Sequence, residues 1–319
     1  MPRLTLSLLA IALLAAAVGA TYVLHFNPEM HFWRQAAERK LSWVDKMRQQ
    51  HGRVIGVVGG STTTFGVDAD YLSRQHGLPV ANLGLHAGMG PDVCTGFGFA
   101  ALRKGDTLVV SLEPSMLIEP SAQKPLGSRL ALVLNRPEIC SWDHPPTLLS
   151  RLSVAAQLQP GGYHVVTMLG KMAMNKPLYR YSIDQAMPGG LQVTSEHRPF
   201  VASMDLSGGA NMPGLSEDGR KLLQRIKNEA DHRGINVVYV LPWAYWPEET
   251  SGLRRAANDK LLAQISEAMP VIREANLGVH SELEDFSDSG QHLTAAGAKK
   301  RSQVLATTLQ RLSRQPTTE

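Results

Sequence analysis

Two segments of the chain, more than two hundred residues apart, carry the residue types that covalent acyl chemistry requires. Ser61 follows two glycines at the end of an apolar run, where a strand is expected to turn into a helix. His292 lies in a polar segment before the last predicted helix, with Asp288 and Asp285 upstream. A histidine can take the proton of a serine hydroxyl, and a carboxylate can orient the histidine ring. Together the two segments predict a serine hydrolase or acyltransferase.

Each of these residues also has a plainer interpretation. Ser61 could be a turn serine or a helix N-cap, or part of a phosphate-binding loop, although the lysine of a P-loop is missing. His292 could be a loop histidine exposed to solvent. We favour Asp288 over Asp285 as the carboxylate partner. Backbone N–H groups of the Ser61 turn could bind an oxyanion.

A sheet must position these side chains, and the remaining sequence predicts one. Apolar β-rich runs alternate with helical patterns, which is typical of a parallel sheet with helices on both faces. The predicted strands are 53–58, 79–85, 106–112, 235–241 and 271–276. The predicted helices are 67–76, 91–102, 215–233, 252–268 and 294–312, the last with Thr294 as its N-cap.

Residues of interest gather at one edge of this predicted sheet. Ligands of open parallel sheets bind beyond the carboxyl ends of the strands. The five strands are followed in turn by Ser61, Asn82, Glu113, the aromatic trio Trp243, Tyr245 and Trp246, and the segment 285–292. We interpret the aromatic trio as stacking faces for sugar rings, with packing under a lid as the alternative. Glu113 is also a substrate-binding candidate.

The stretch from about 114 to 213 interrupts the alternation of strands and helices. It is rich in proline and glycine, with helical patterns near 148–158 and 165–174. We interpret it as an insertion or lid within a domain spanning 51–319. The two cysteines, Cys94 and Cys140, could pair in an oxidising compartment or remain separate buried thiols.

The first 27 residues predict a membrane anchor, and a linker helix is predicted at 28–50. Residues 4–24 carry no charge, and a helix of that length spans about 30 Å, the thickness of a hydrocarbon core. A signal peptide cleaved after the small residues 18–20 is the alternative. We expect a globular domain anchored in the inner membrane and facing the periplasm, or secreted after cleavage.

Composition excludes several other classes of protein. The net charge of +4 is small, and the lysines and arginines are scattered, so no nucleic-acid partner is expected. No cysteine–histidine spacing indicates zinc, and we predict neither a metal nor a cofactor.

The chain resembles bacterial members of the SGNH (GDSL-like) hydrolase superfamily. The resemblance rests on 59–61 with Gly66, on 79–88, and on Asp288, His292, Leu293, Thr294 and Gly297. It covers about 53–112 and 235–312 but not the insertion. It implies a flavodoxin-like, three-layer α/β/α fold with a mostly parallel five-stranded sheet, and action on esters, often acetyl groups on carbohydrates. By position it makes Ser61 the nucleophile, His292 the base and Gly88 an oxyanion donor beside the Ser61 amide.

Three departures from the family pattern bear on the expected rate. Gly60 replaces the aspartate of Gly-Asp-Ser, and Asp288 precedes His292 by four residues rather than three. Glu113 and its neighbours stand where the family has Gly-x-Asn-Asp. The missing asparagine normally donates to the oxyanion, and losing one such donor typically costs a factor of about 10²–10³ in rate. Asn82 could substitute for it.

These observations support three hypotheses about function. The first is a membrane-anchored esterase or O-acyltransferase, acetyl being the expected acyl group, that acts on a cell-envelope or secreted polysaccharide. The second is a catalytically weak or inactive protein of the same fold that binds glycan or scaffolds a polysaccharide machinery. The third is a phosphate or nucleotide binder that uses the glycine-serine-threonine loop.

Overall fold

A five-stranded, entirely parallel sheet forms the centre of the protein. The computed structural model describes residues 2–120, 125–143, 147–148, 162–193 and 213–314. The sheet strands are β1 (Ile55–Gly59), β2 (Val80–Asn82), β3 (Thr107–Ser111), β4 (Asn236–Val240) and β6 (Val271–Ile272), in the order β2-β1-β3-β4-β6. Two further short strands, β5 (Ala244–Tyr245) and β7 (Val279–His280), pair with each other. The predicted α/β fold on a parallel five-stranded sheet is confirmed.

Both faces of this sheet are buried. Successive side chains of a strand point to opposite faces, and neighbouring residues of β1 and β3 belong to two different buried clusters. Val57 and Val109 belong to one buried cluster, and Val58 and Val110 belong to another. The first cluster includes residues of α4 (Ala69–His76) and α11 (Ala295–Arg314). The second includes residues of α5 (Pro91–Ala101), α9 (Glu217–Arg233) and α10 (Glu248–Ser266).

Two long helices precede the sheet. In the described part of the chain, α1 (Pro2–His25) holds the one stretch, Leu4–His25, that is long and apolar enough to cross a membrane. The next helix, α2 (Pro28–His51), begins where the Asn27 side chain accepts the Met30 N–H. Its Trp43 Nε1 donates to the Val80 carbonyl at 2.8 Å. The predicted linker helix is therefore packed into the globular body.

The predicted insertion contains helices in its described parts. These are α6 (Pro114–Ile118), α7 (Pro125–Val133) and α8 (Gly162–Ala173), the last matching the helical pattern near 165–174. The other pattern, near 148–158, lies almost wholly outside the described residues. Cys94 and Cys140 are both buried free thiols, and burial raises the pKa of Cys140 to about 12. The structure thus shows two separate thiols rather than a disulfide.

Candidate active site

Ser61 is the first residue of a one-turn helix, α3 (Ser61–Thr64), that follows β1 directly. Gly59 is needed at this turn because an added Cβ would lie 2.2 Å from Thr63 Oγ1 and 2.3 Å from the Ser111 carbonyl oxygen. The Ser61 side chain is nearly buried, and none of the hydrogen bonds of the described residues uses its hydroxyl or its amide. A serine hydroxyl and one amide donor are therefore uncommitted at the carboxyl end of β1.

The buried carboxylate of Glu113 holds the start of α3. Its Oε2 accepts the Gly60 N–H at 3.1 Å. Its Oε1 accepts the Thr62 N–H at 3.2 Å and the Thr62 hydroxyl at 2.8 Å. A negative charge is favourable at the positive end of a helix. Glu113 therefore anchors the Ser61 turn and is not available as the substrate-binding group that the sequence suggested.

His292 is paired with Asp288, as favoured from the sequence. The Nδ1 atom lies 2.7 Å from Asp288 Oδ1, and the Asp288 side chain is almost completely buried. The alternative carboxylate, Asp285, instead contacts His280 Nε2 at 2.7 Å and Lys300 Nζ at 2.8 Å. The spacing of four residues therefore does not prevent the contact that orients a catalytic imidazole.

Backbone hydrogen bonds fix the loop that presents His292. The Ser287 N–H donates to the His292 carbonyl at 2.8 Å, and the Thr294 N–H donates to the Asp285 carbonyl at 2.8 Å. From the neighbouring strand β5, the Tyr245 N–H donates to the Gly290 carbonyl at 2.7 Å. The Thr294 hydroxyl accepts the Gly297 N–H, which confirms Thr294 as the N-cap of α11. The imidazole thus stands on a braced turn rather than on a free loop.

A phenylalanine brings the imidazole to the helix that carries Ser61. The rings of Phe65 and His292 are stacked, with centroids 4.3 Å apart and planes inclined by 25°. Phe65 follows α3 directly, and its N–H donates to the Ser61 carbonyl at 2.9 Å. Among the described residues, no hydrogen bond joins Ser61 to His292. Catalytic hydrogen bonds are often long without substrate and tighten in the reacting complex.

Two insertion residues complete the surroundings of Asp288, and sequence reasoning missed both. Arg180 Nη2 lies 2.8 Å from Asp288 Oδ2, and the Tyr181 hydroxyl donates to the same oxygen at 3.3 Å. Burial alone would raise the pKa of Asp288, but the hydrogen bond from His292 and the charges of His292 and Arg180 lower it to about 2. The only sequence signal was an arginine between two tyrosines at 179–181.

Asn82 does not fit the expected role of oxyanion donor. Its side chain is fully buried, and its Nδ2 donates to the carbonyl oxygens of Thr63, Thr64 and Val67. Its Oδ1 accepts the Gly84 N–H at 2.9 Å. The amide therefore braces the turn after Ser61 from behind, and no N–H remains for substrate.

A buried lysine supports this brace. Lys40 Nζ donates to the backbone carbonyl of Asn82 at 2.9 Å, to its side-chain oxygen at 3.3 Å, and to the Gly190 carbonyl at 2.7 Å. Burial lowers the pKa of Lys40 to about 7. Lys40 thus connects α2 and the insertion to the strand end beside the Ser61 turn.

The Gly88 amide, expected to donate to an oxyanion, is used in another hydrogen bond. Its N–H donates to His86 Nδ1 at 2.9 Å within a short 3-10 turn at Ala87–Met89. The Ser61 amide is therefore the one oxyanion donor of the sequence prediction that remains uncommitted within the described residues.

The aromatic residues after β4 are mostly buried, which corrects their assignment as sugar-stacking faces. Trp243 stacks on His280 with ring centroids 4.4 Å apart, and its Nε1 donates to Glu274. The Arg254 guanidinium lies over the Trp246 ring. Both indoles are less than 10% exposed, at 6% and 8%, which agrees with the packing alternative. Tyr245 is half-buried and packs edge-on against Phe286.

One cluster within the described residues has the donor types of a cation site. His280, Glu282 and Asp285 place their ligand atoms within 4.8 Å of one another. Lys300 Nζ lies 2.7 Å from Glu282 and 2.8 Å from Asp285. The ammonium already supplies positive charge to both carboxylates, so the cluster works as an ion-pair network.

The arrangement as a whole contains the groups of a serine nucleophile system. An uncommitted serine hydroxyl stands at a helix start, and an oriented imidazole stacks on the end of the same helix. Comparisons of the chain with protein-family models, with curated proteins and with solved structures find no significant match.

Proposed function

We propose that the protein is an SGNH-like serine esterase or O-acyltransferase that acts on an acylated cell-envelope or secreted polysaccharide. The observation that carries this proposal is the His292–Asp288 pair, whose imidazole stacks on Phe65 at the end of the helix that begins with Ser61. The strand order and the burial of both sheet faces support a flavodoxin-like, three-layer arrangement.

In the proposed reaction, Ser61 Oγ attacks the acyl carbonyl carbon while His292 Nε2 takes the hydroxyl proton. Asp288 holds the Nδ1 side of the ring and stabilises the imidazolium that forms. The Ser61 N–H donates to the oxyanion. His292 then protonates the departing sugar oxygen, which leaves an acyl group on Ser61.

The second half of the reaction decides between hydrolysis and transfer. His292 removes a proton from water or from an acceptor hydroxyl, and the resulting oxygen nucleophile attacks the acyl carbonyl carbon. The bond to Ser61 Oγ then breaks as His292 returns the proton to that oxygen. We propose acetyl as the acyl group. We propose that α1 anchors the protein in the inner membrane with the body in the periplasm, or that the body is secreted if α1 is cleaved.

Hydrolysis of an acetylated polysaccharide tests this proposal. The Ser61→Ala variant should lose acetate release, because no other group replaces the nucleophile. The Ser115→Ala variant is the matched control, since this exposed serine lies at the same edge of the sheet, after β3. Acetate release that is equal in wild type and Ser61→Ala would contradict the assignment.

A specific observation supports a second candidate, a glycan-binding protein without turnover. The Glu113 carboxylate accepts the hydrogen bonds of the Gly60 and Thr62 amides, and the side-chain N–H groups of Asn82 already donate to backbone carbonyls. Glycan binding that survives in Ser61→Ala, without acetate release by wild type, would favour it. The same carboxylate counts against a phosphate binder, because it takes amides that a phosphate would need.

A further inference from the structure

The helix α8 of the insertion exposes an apolar face. Val166, Leu169 and Met172 are exposed by 69%, 55% and 57% of their surface. Residues three apart lie on the same side of a helix, so these side chains form one stripe. Met174, just beyond the helix, extends it and is 59% exposed. A contiguous exposed apolar stripe of this kind usually contacts a membrane or another protein.

The position of α8 indicates what covers this stripe. The Tyr22 hydroxyl lies 2.9 Å from Met168 Sδ, so α8 touches the far end of α1. Tyr22 is three residues before the end of α1, which is about 5 Å along the helix axis. If α1 crosses a bilayer over Leu4–His25, then Tyr22 lies at the membrane–water interface. The contact therefore holds α8 at the same depth.

Two lysines near the stripe are consistent with a position at the membrane–water interface. Lys171 is half-buried on α8, with its Nζ donating to the Leu178 carbonyl at 3.2 Å, and Lys176 is exposed just beyond the helix. Lysines at the border of an apolar face can reach lipid phosphates while their stems remain in apolar surroundings. Phe26, directly after α1, is also exposed.

We propose that α8 lies in the membrane interface and is a second membrane contact of the protein, with its Val166–Leu169–Met172 stripe in the lipid. The occupant is the bilayer rather than another protein, because the Tyr22–Met168 contact holds this exposed apolar stripe against the end of the helix that is apolar enough to span a membrane. The inference rests on α1 crossing the membrane and is independent of the ester chemistry.

The contact has a consequence for the candidate active site. Arg180, which pairs with Asp288, follows the end of α8 by seven residues. Ring contacts also lead from the start of α2 to the imidazole. The centroid distances are 6.1 Å from Phe32 to Tyr181, 5.1 Å from Tyr181 to Phe65 and 4.3 Å from Phe65 to His292. These contacts connect the start of α2, next to the end of α1, with the imidazole of the candidate active site.

A spin-label experiment on the full chain in lipid nanodiscs tests the membrane contact. Leu169→Cys, Leu14→Cys and Lys221→Cys, each in a Cys94→Ala/Cys140→Ala background, carry a nitroxide. Leu14 lies in the proposed span, and Lys221 is an exposed position on α9. We expect labels at 169 and 14 to collide with oxygen and to be shielded from an aqueous nickel chelate, whereas the label at 221 collides with the chelate.

Each other outcome overturns the inference. A chelate-accessible label at 169 with a shielded label at 14 removes the α8 contact alone. Accessible labels at both positions remove the membrane span as well. If the cysteine-free background does not fold, Leu169→Trp in the native background serves instead, with Lys221→Trp as its control. Quenching of Leu169→Trp by brominated lipids must exceed the quenching of Lys221→Trp, and equal quenching contradicts the proposal.

Discussion

Gly60 and Glu113 occupy adjoining parts of one small buried space. Glu113 Oε2 accepts the Gly60 N–H at 3.1 Å, and a Cβ added at position 60 would lie 2.4 Å from Glu113 Oε1. An aspartate at position 60, as in Gly-Asp-Ser, would put a second carboxylate in the same space. The residue types at positions 60 and 113 are therefore linked by one steric and electrostatic requirement.

We predict that Gly60→Asp destabilises the protein and that a second change partly restores stability. Overpacking of a filled site typically costs about 1–3 kcal/mol, and repulsion between carboxylates adds to this cost. In Gly60→Asp with Glu113→Asn, the shorter amide leaves room, and the introduced aspartate can cap α3. Urea unfolding should show the double variant to be more stable than Gly60→Asp. A double variant no more stable than Gly60→Asp would refute the linkage.

Replacing the two candidate carboxylates separately tests which one orients His292. Asp288→Asn should lower kcat for ester hydrolysis by about 10³–10⁴-fold, as expected when the orienting carboxylate of a triad is lost. Asp285→Asn is the matched control: it should reduce stability through lost contacts with His280 and Lys300 while kcat stays near the wild-type value. The reverse pattern would assign the role to Asp285.

Removing Arg180 should weaken the acid dependence of stability. The pKa of Asp288 is lowered from 3.8 to about 2, so its contribution is present at neutral pH and is lost as the pH falls through this range. Arg180→Gln raises this pKa, so the advantage of wild type should be largest at pH 6 and smaller at pH 3.

The size of this effect is limited by the exposure of the guanidinium. We expect about 0.5–1 kcal/mol at neutral pH, because solvent screens the half-exposed Arg180. Arg220→Gln, which breaks an exposed ion pair with Glu267, is the control. Chemical unfolding at both pH values measures the difference, and an advantage that grows on acidification would contradict the stated role of Arg180.

The lowered pKa of Lys40 predicts that the free energy of unfolding increases towards alkaline pH. Its pKa is lowered from 10.5 to about 7 in the folded protein, so between these values the unfolded chain binds the additional proton. Stability then rises with pH by up to about 1.4 kcal/mol per pH unit. Unfolding of wild type and Lys40→Met at pH 6 and pH 9 should show a shift in favour of wild type at pH 9. A difference that stays constant between the two pH values would contradict it.

The sequence was most informative where the relevant residues are close together in the chain. Continuous β-branched runs predicted β1, β3 and β4, and the glycines before Ser61 predicted the turn into α3. The Thr294 cap was also local, because its hydroxyl meets an N–H three residues later. Each of these features depends on backbone conformation over only a few residues.

Hydrogen-bond commitments could not be predicted in this way. Asn82 was placed at the correct edge, but its amide is used by the turn after Ser61, and its backbone carbonyl is used by Lys40. Arg180 reaches Asp288 from the insertion, where no periodic pattern indicates a partner. The sequence pattern identifies which residues share an edge, but packing decides which polar groups satisfy one another.

Formation of a covalent adduct at Ser61 is the direct measure of whether this serine is an activated nucleophile. A fluorophosphonate reacts with a serine hydroxyl only where a base and an oxyanion donor activate it. Intact mass spectrometry followed by peptide mapping should find one phosphonate on Ser61 in wild type and in Ser115→Ala. It should find none in Ser61→Ala and much slower labelling in Asp288→Asn. A wild-type protein that remains unlabelled, or labelling that persists in Ser61→Ala, would contradict the account.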